Sequence, residues 1–167
     1  MRWIRTSIVI IAVMLSGVVK AQADTSSVPG FAFPMYSQMS IRLIPIDSVR
    51  FHYTILNYDL FDEKFDLEHL ENYTNKKAAE GTIEILVSIG TKGTTEEEKK
   101  ANKQSVFIIR NGTEYPLEFS LDIQKLNQTV YEPVAVMPVI PHGSSVEMWD
   151  YSVEMVGLFN FMKLKSE

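Results

Sequence analysis

Residues 105–123 read SVFIIRNGTEYPLEFSLDI. The first arm, 105–110, is an apolar run of the kind a strand buries. In the second arm Tyr115, Leu117, Phe119, Leu121 and Ile123 alternate with Pro116, Glu118, Ser120 and Asp122. That is period two, the signature of a half-buried strand. Between the arms stands Asn111-Gly112. An Asn-Gly pair flanked by apolar runs predicts a two-residue hairpin, because a type I′ turn needs positive φ at both central positions. Pro116 cannot donate to a ladder, so it predicts an edge or a bulge in the second arm.

The same pattern extends in both directions. From Met39, Ile41 and Leu43 alternate around Arg42, and Asp47-Ser48 is a turn signal. Val49, Phe51, Tyr53 and Ile55 alternate with Arg50, His52 and Thr54. TIEILVSIG, residues 82–90, is apolar and β-branched enough for a central strand. VAVMPVI, residues 134–140, is a further run broken by Pro138, and a turn follows at residues 141–144. Residues 145–165 predict two strands or one long bent one, with phase slips near Asp150 and Gly157.

Two stretches depart from this. Asp66 is placed to cap a helix over 66–79, with acids early, Lys76 and Lys77 late and Gly81 after them. Thr94 or Thr95 precedes an acid three residues on, which predicts a capping box and a short polar helix over 95–103. The expected fold class is therefore all-β: an antiparallel β-sandwich, immunoglobulin-like in architecture, with two helical excursions. The expected organisation is an irregular N-terminal arm over 24–38 and one domain over 39–167.

The N-terminus reads as an address. Arg2 and Arg5 precede an apolar run from Ile8 to Val19, and Ala21-Gln22-Ala23 is a small-x-small cleavage site before Asp24. The run of about 12 residues is short of the ~20 that span a bilayer. Secretion to the periplasm or the exterior is the expectation, with no membrane span left after cleavage. Residues 1–23 hold three of the chain's 16 basic residues and none of its 21 acidic ones, so the net charge of -5 becomes eight negative charges on the remainder. Such an acidic surface argues against a nucleic-acid partner. With no Cys there is no disulfide, thiolate metal site or cysteine nucleophile. The lipid-bearing first Cys of a mature lipoprotein is missing too.

Four constellations could carry chemistry. Asp59, Asp62, Glu63 and Asp66 fall at i, i+3, i+4 and i+7, one face if helical, and offer calcium an oxygen set. The competing reading is a solvated acidic face. Met35, Met39, His52 and His142 are soft ligands that would suit copper; for the Met residues the alternative is core packing. Trp149 and Tyr151 alternate on one strand face and would make an aromatic binding strip if exposed, or core if buried. A hydrolase could use dispersed Ser, His and acids, but no nucleophile elbow or phosphate loop is present. No cofactor motif appears. The leading expectation is a secreted, bacterial periplasmic, non-catalytic β-sandwich binding or accessory protein. Its expected partner is another secreted or envelope protein, reached through a sheet edge. A metal-binding protein and a small secreted hydrolase are the alternatives. Expression of the full chain in a bacterial host, with N-terminal sequencing of the exported product, should give a chain starting at Asp24. An uncleaved chain in the membrane fraction would refute the signal peptide.

Overall fold

Why the strands curl follows from where their apolar side chains go. The computed structural model describes residues 30–164; the residues read as a signal peptide, with Ala21, Ala23 and Asp24, lie outside them. The strands are β1 (Gly30–Pro34), β2 (Ser37–Pro45), β3 (Arg50–Leu60), β4 (Phe65–Asp66), β5 (Thr82–Thr91), β6 (Lys103–Asn111), β7 (Leu117–Lys125), β8 (Tyr131–Val134), β9 (Ser144–Trp149) and β10 (Val153–Lys163). The helices are α1 (Glu71–Thr74) and α2 (Glu96–Ala101). The all-β expectation holds. The ten strands of the described residues join one sheet, curled into a half-barrel, where two stacked sheets were expected. The hydrogen-bonded order is β8-β7-β10-β3-β2-β5-β6-β9, with β1 on β10 and β4 parallel to β5.

The inner face is the core. Phe33, Met39, Ile41, Tyr53, Ile83, Ile85, Phe107, Ile109, Leu121, Leu158 and Phe161 are buried there. Phe107 of β6 and Phe119 of β7 pack with ring centroids 6.1 Å apart, although four strands separate them in the sheet order. Only curling brings them together. Each such buried side chain contributes about 1.5–3 kcal/mol. Tyr53 also sits inside, its hydroxyl donating to the Leu158 carbonyl at 3.1 Å, and burial pushes its phenol pKa up.

β5 and β6 are buried on both faces. Their outer residues Leu86, Val106 and Ile108 pack with Phe61, Phe65, Leu67, Leu70 and Tyr73. This accounts for the near-continuous apolar runs of 82–90 and 105–110, since a strand covered on both sides has no polar face. Arg110 holds the covering segment down. Its Nη1 pairs with Glu84 at 2.9 Å and its Nε donates to the Tyr73 carbonyl at 2.9 Å.

Several expectations are corrected. Asn111-Gly112 is no hairpin turn: β6 pairs with β5 and β9, and β7 with β10 and β8. Neither residue has positive φ. Asn111 instead ends β6 and ties the chain's crossing between the sheet's two limbs. Its Oδ1 accepts from the Thr113 N–H at 2.9 Å, and its Nδ2 donates to the Tyr115 and Ile140 carbonyls at 2.9 and 3.1 Å. Gly112 is glycine for closeness: a Cβ there would lie 2.2 Å from the Ala79 carbonyl oxygen. Pro116 precedes β7, which is no edge; Pro133 blunts the edge strand β8.

The arm over 24–38 carries β1 over 30–34 and the start of β2 at Ser37, because Phe33 and Met35 enter the core. The helix over 66–79 shrinks to the single turn α1, and Asp66 lies in β4. Burial of Phe65, Leu67, Leu70 and Tyr73 on the sheet overrides the helical charge pattern. By contrast α2 forms as predicted, Thr95 and Glu98 completing its capping box. The Asp47 turn also forms. Backbone N–H groups of Arg50 and Val49, with the Arg50 side chain, hold its carboxyl down to about 2. Residues 134–140 contribute only the end of β8 and one bridge, Val139 to Leu117. The turn near Asp150 separates β9 from β10, while Gly157 is in regular register and the bulges lie on either side of it. Among the described residues no helix is long and apolar enough to cross a membrane.

Replacing Asn111 by Ala removes these bonds and strands buried donors and acceptors. The expected loss is about 3 kcal/mol, read as a lowered urea midpoint. A loss under about 1 kcal/mol would show that the crossing does not depend on Asn111.

Candidate functional site

The strand β3 is where the sheet opens. Its first half alternates as the sequence predicts, with Phe51 and Tyr53 buried. A register shift against β2 then falls between Ser40 and Ile41: Ile41 faces Ile55 and Ser40 faces Asn57, leaving Leu56 as the extra residue of a bulge. Beyond it the phase has moved by one. Tyr58 faces Met39 and Leu60 faces Ser37, so Tyr58 and Leu60 continue the inner face.

The core does not follow them. β10 pairs with β3 only at Phe51 and Arg50, and its next residues pair with β1 instead. Among the described residues, the edge of 53–60 away from β2 has no strand beside it. Leu60 is 80% exposed, and Tyr58, Leu56, Tyr36 and Phe31 are each about two-fifths exposed. The Phe31 ring meets Tyr58 edge-on at 6.5 Å and stacks on Phe33 at 6.2 Å. The Tyr58 hydroxyl lies 3.0 Å from Ser37 Oγ. The result is an apolar, aromatic strip beside an unfilled strand edge. Chemically it offers backbone hydrogen bonds and apolar contact, the two requirements of strand addition.

The other edges are less open. β8 is four residues long and contains Pro133. β9 is tied to the neighbouring crossing, since the Glu147 carboxylate accepts from the Met137 N–H at 3.2 Å.

The residues singled out in the sequence are dispersed. Met35 and Met39 are buried in the core. His52 lines a shallow hollow with Arg50, Ile46 and Asn160, whereas His142 stands in its turn at φ 54°, its Nε2 3.1 Å from Glu114. The copper set is not brought together. Asp59 is the last residue but one of β3, Asp62 and Glu63 follow in coil, and Asp66 is in β4, so the helical face expected for calcium does not exist. Among the described residues no three His, Asp or Glu side chains converge as metal ligands. Trp149 and Tyr151 are half-buried against the main core, with Lys125 Nζ 4.9 Å over the Tyr151 ring. The exposed aromatic strip lies elsewhere, on Phe31, Tyr36 and Tyr58. Its sequence signal was the alternation LNYDL at 56–60, hidden because the bulge puts it out of phase with 49–55.

A second hollow, of about 410 Å³, gathers Lys64, Lys99, Lys100 and Lys103 with Asp66, Glu68 and Glu96. Charges of both signs interleave there, so it presents no single-sign field. At its side His69 Nδ1 meets the Asp66 carboxylate at 2.9 Å.

Comparison of the chain with protein-family models, with curated proteins and with solved structures finds no match. The reading of the site therefore rests on its own geometry.

The Asp66 hydrogen bond raises the His69 pKa, and the same bond with the Glu68 N–H lowers that of Asp66. The histidine's share of stability is full below its ordinary value and lost as pH rises through the raised one. The carboxylate's share is present above its ordinary value and lost as pH falls through the lowered one. An NMR titration should place the His69 midpoint above ~6.5, and Asp66→Asn should return it there. An unchanged midpoint in that variant would refute the pairing.

Proposed function

We propose that the chain is an exported, non-catalytic binding module that receives an extended segment of another secreted or envelope protein as an added strand along β3. The observation that carries this reading is the coincidence, over residues 53–60, of an unpaired backbone edge and exposed Leu56, Tyr58 and Leu60. Soluble proteins ordinarily blunt such edges with charge, proline or cover. Here the two residues at the end of the strand, Asp59 and Leu60, supply one charge and one fully apolar side chain. The backbone would supply affinity, and alternate side chains would supply register, as in other strand-addition complexes. Export, read from residues 1–23, would set the compartment in which the partner is met. The acidic surface of the exported chain disfavours polyanions and favours a partner segment that is neutral or basic.

The test places lysines on the edge without touching the ladder to β2. The double variant Leu56→Lys, Leu60→Lys should keep its melting temperature, because both side chains are exposed. Periplasmic proteins retained by the immobilised wild-type chain should lose affinity for the variant by about a hundredfold. Amide hydrogen exchange should slow at 53–60 in the complex. Equal retention by the variant, protection confined to other strands, or turnover of a substrate would refute the reading.

A further inference from the structure

We propose that β1 is an exchangeable strand, and that the protein forms a reciprocal dimer in which residues 30–34 of each copy pair with β10 of the other. This concerns the slot beside β10 and goes beyond the reading of the β3 edge.

β1 enters the sheet through one neighbour. Gly30 to Pro34 pair with Phe159 to Met155 of β10, and among the described residues no other strand pairs with them. β1 occupies the place that β3 leaves when it parts from β10 after Phe51. The slot is shaped to this strand. Phe33 is wholly buried in the core, and a Cβ at Gly30 would lie 2.8 Å from the Phe159 Cβ. An occupant needs a glycine and a large aromatic three residues apart, in the register found here. A second copy of this chain carries that sequence.

The hinge between β1 and β2 is two residues long, Met35 and Tyr36. Tyr36 has φ 63°. A bulky side chain in the left-handed region crowds its own backbone, which is why glycine usually stands there. Straightening the hinge puts Tyr36 in extended backbone and fuses β1 and β2 into one strand over 30–45. The Met35 N–H extends the β1–β10 ladder to the Glu154 carbonyl at 3.0 Å, and two further bonds hold the closed hinge. Ser37 Oγ donates to the Pro34 carbonyl at 2.7 Å, and the Phe61 N–H donates to the Tyr36 carbonyl at 2.8 Å. Every β1–β10 contact is the same in the closed monomer and in the exchanged dimer. The balance between them is therefore set by the hinge and by concentration, and a short strained hinge tips it toward exchange.

Because the chain has no Cys, an introduced pair reports the pairing cleanly. Ala32 stands opposite Gly157 in the ladder, and the nearest atom to a new Cβ on Gly157 is 3.7 Å away. The exported chain carrying Ala32→Cys and Gly157→Cys is oxidised over a range of concentrations and run denatured without reductant. Exchange gives a covalent dimer whose share grows with concentration. Tyr36→Gly, which removes the crowding in the closed form at both hinges of the pair, should raise the concentration needed for half dimer by about a hundredfold. Sedimentation of Tyr36→Gly without the cysteines gives the same comparison should the double-cysteine variant fail to fold. A disulfide that stays within one chain at every concentration overturns the proposal, as does a dimer indifferent to Tyr36→Gly. A dimer whose disulfides remain intrachain would mean association along β3, which removes strand exchange while leaving the edge reading intact.

Discussion

A single sheet with one apolar face has nothing to bury it against except itself. That constraint organises this molecule. Phe107 and Phe119 stand on strands near opposite ends of the hydrogen-bonded order, yet their rings meet. Phe161 bridges to Phe119 and to Tyr53 within 5.7 Å, so the inner face closes on itself through aromatic contacts. The crossings that follow β6 and β8 then span the mouth, and Asn111 satisfies carbonyls from both of them. Removing apolar area from water drives the curl, and the backbone groups stranded at the mouth decide how it can be finished.

The curl has a cost in symmetry. On one side the outer face of β5 and β6 is covered by residues 61–75, with Arg110 buried and satisfied beneath them. On the other side no comparable layer exists among the described residues, and β3 reaches past the core. The bulge at Leu56 turns the strand's second half so that its apolar side chains keep facing inward after the interior has ended. The candidate site is thus a product of mismatch: a strand longer than the core it lines, beside a first strand that has taken its partner's place on β10. Both proposed interactions arise at this one seam.

Much of this was legible in the residues. The strands at 49–55, 82–90, 105–110 and 115–123 were legible because their apolar spacing follows the pleat directly. The capping box of α2 was legible because it is local chemistry. The misreadings share one cause. Asn111-Gly112 has the composition of a hairpin turn, but both arms found better partners elsewhere in the sheet. Asp66 has the setting of a helix cap, but Phe65 and Leu67 on either side of it were worth more buried on the outer face. LNYDL carries the same alternation, but one bulged residue shifts its phase against 49–55.

The sequence by itself determined the class of structure, the acidic character of the chain and the absence of thiol chemistry, because these depend on composition and on spacing along the backbone. Only the tertiary structure decided which strands are neighbours, that Met35 and Met39 lie in the core, and that Phe31, Tyr36 and Tyr58 are exposed together while Trp149 and Tyr151 are half-buried. Strand pairing is a competition among segments distant in the chain, and exposure is what remains once that competition has been settled by burial. No local pattern carries that outcome.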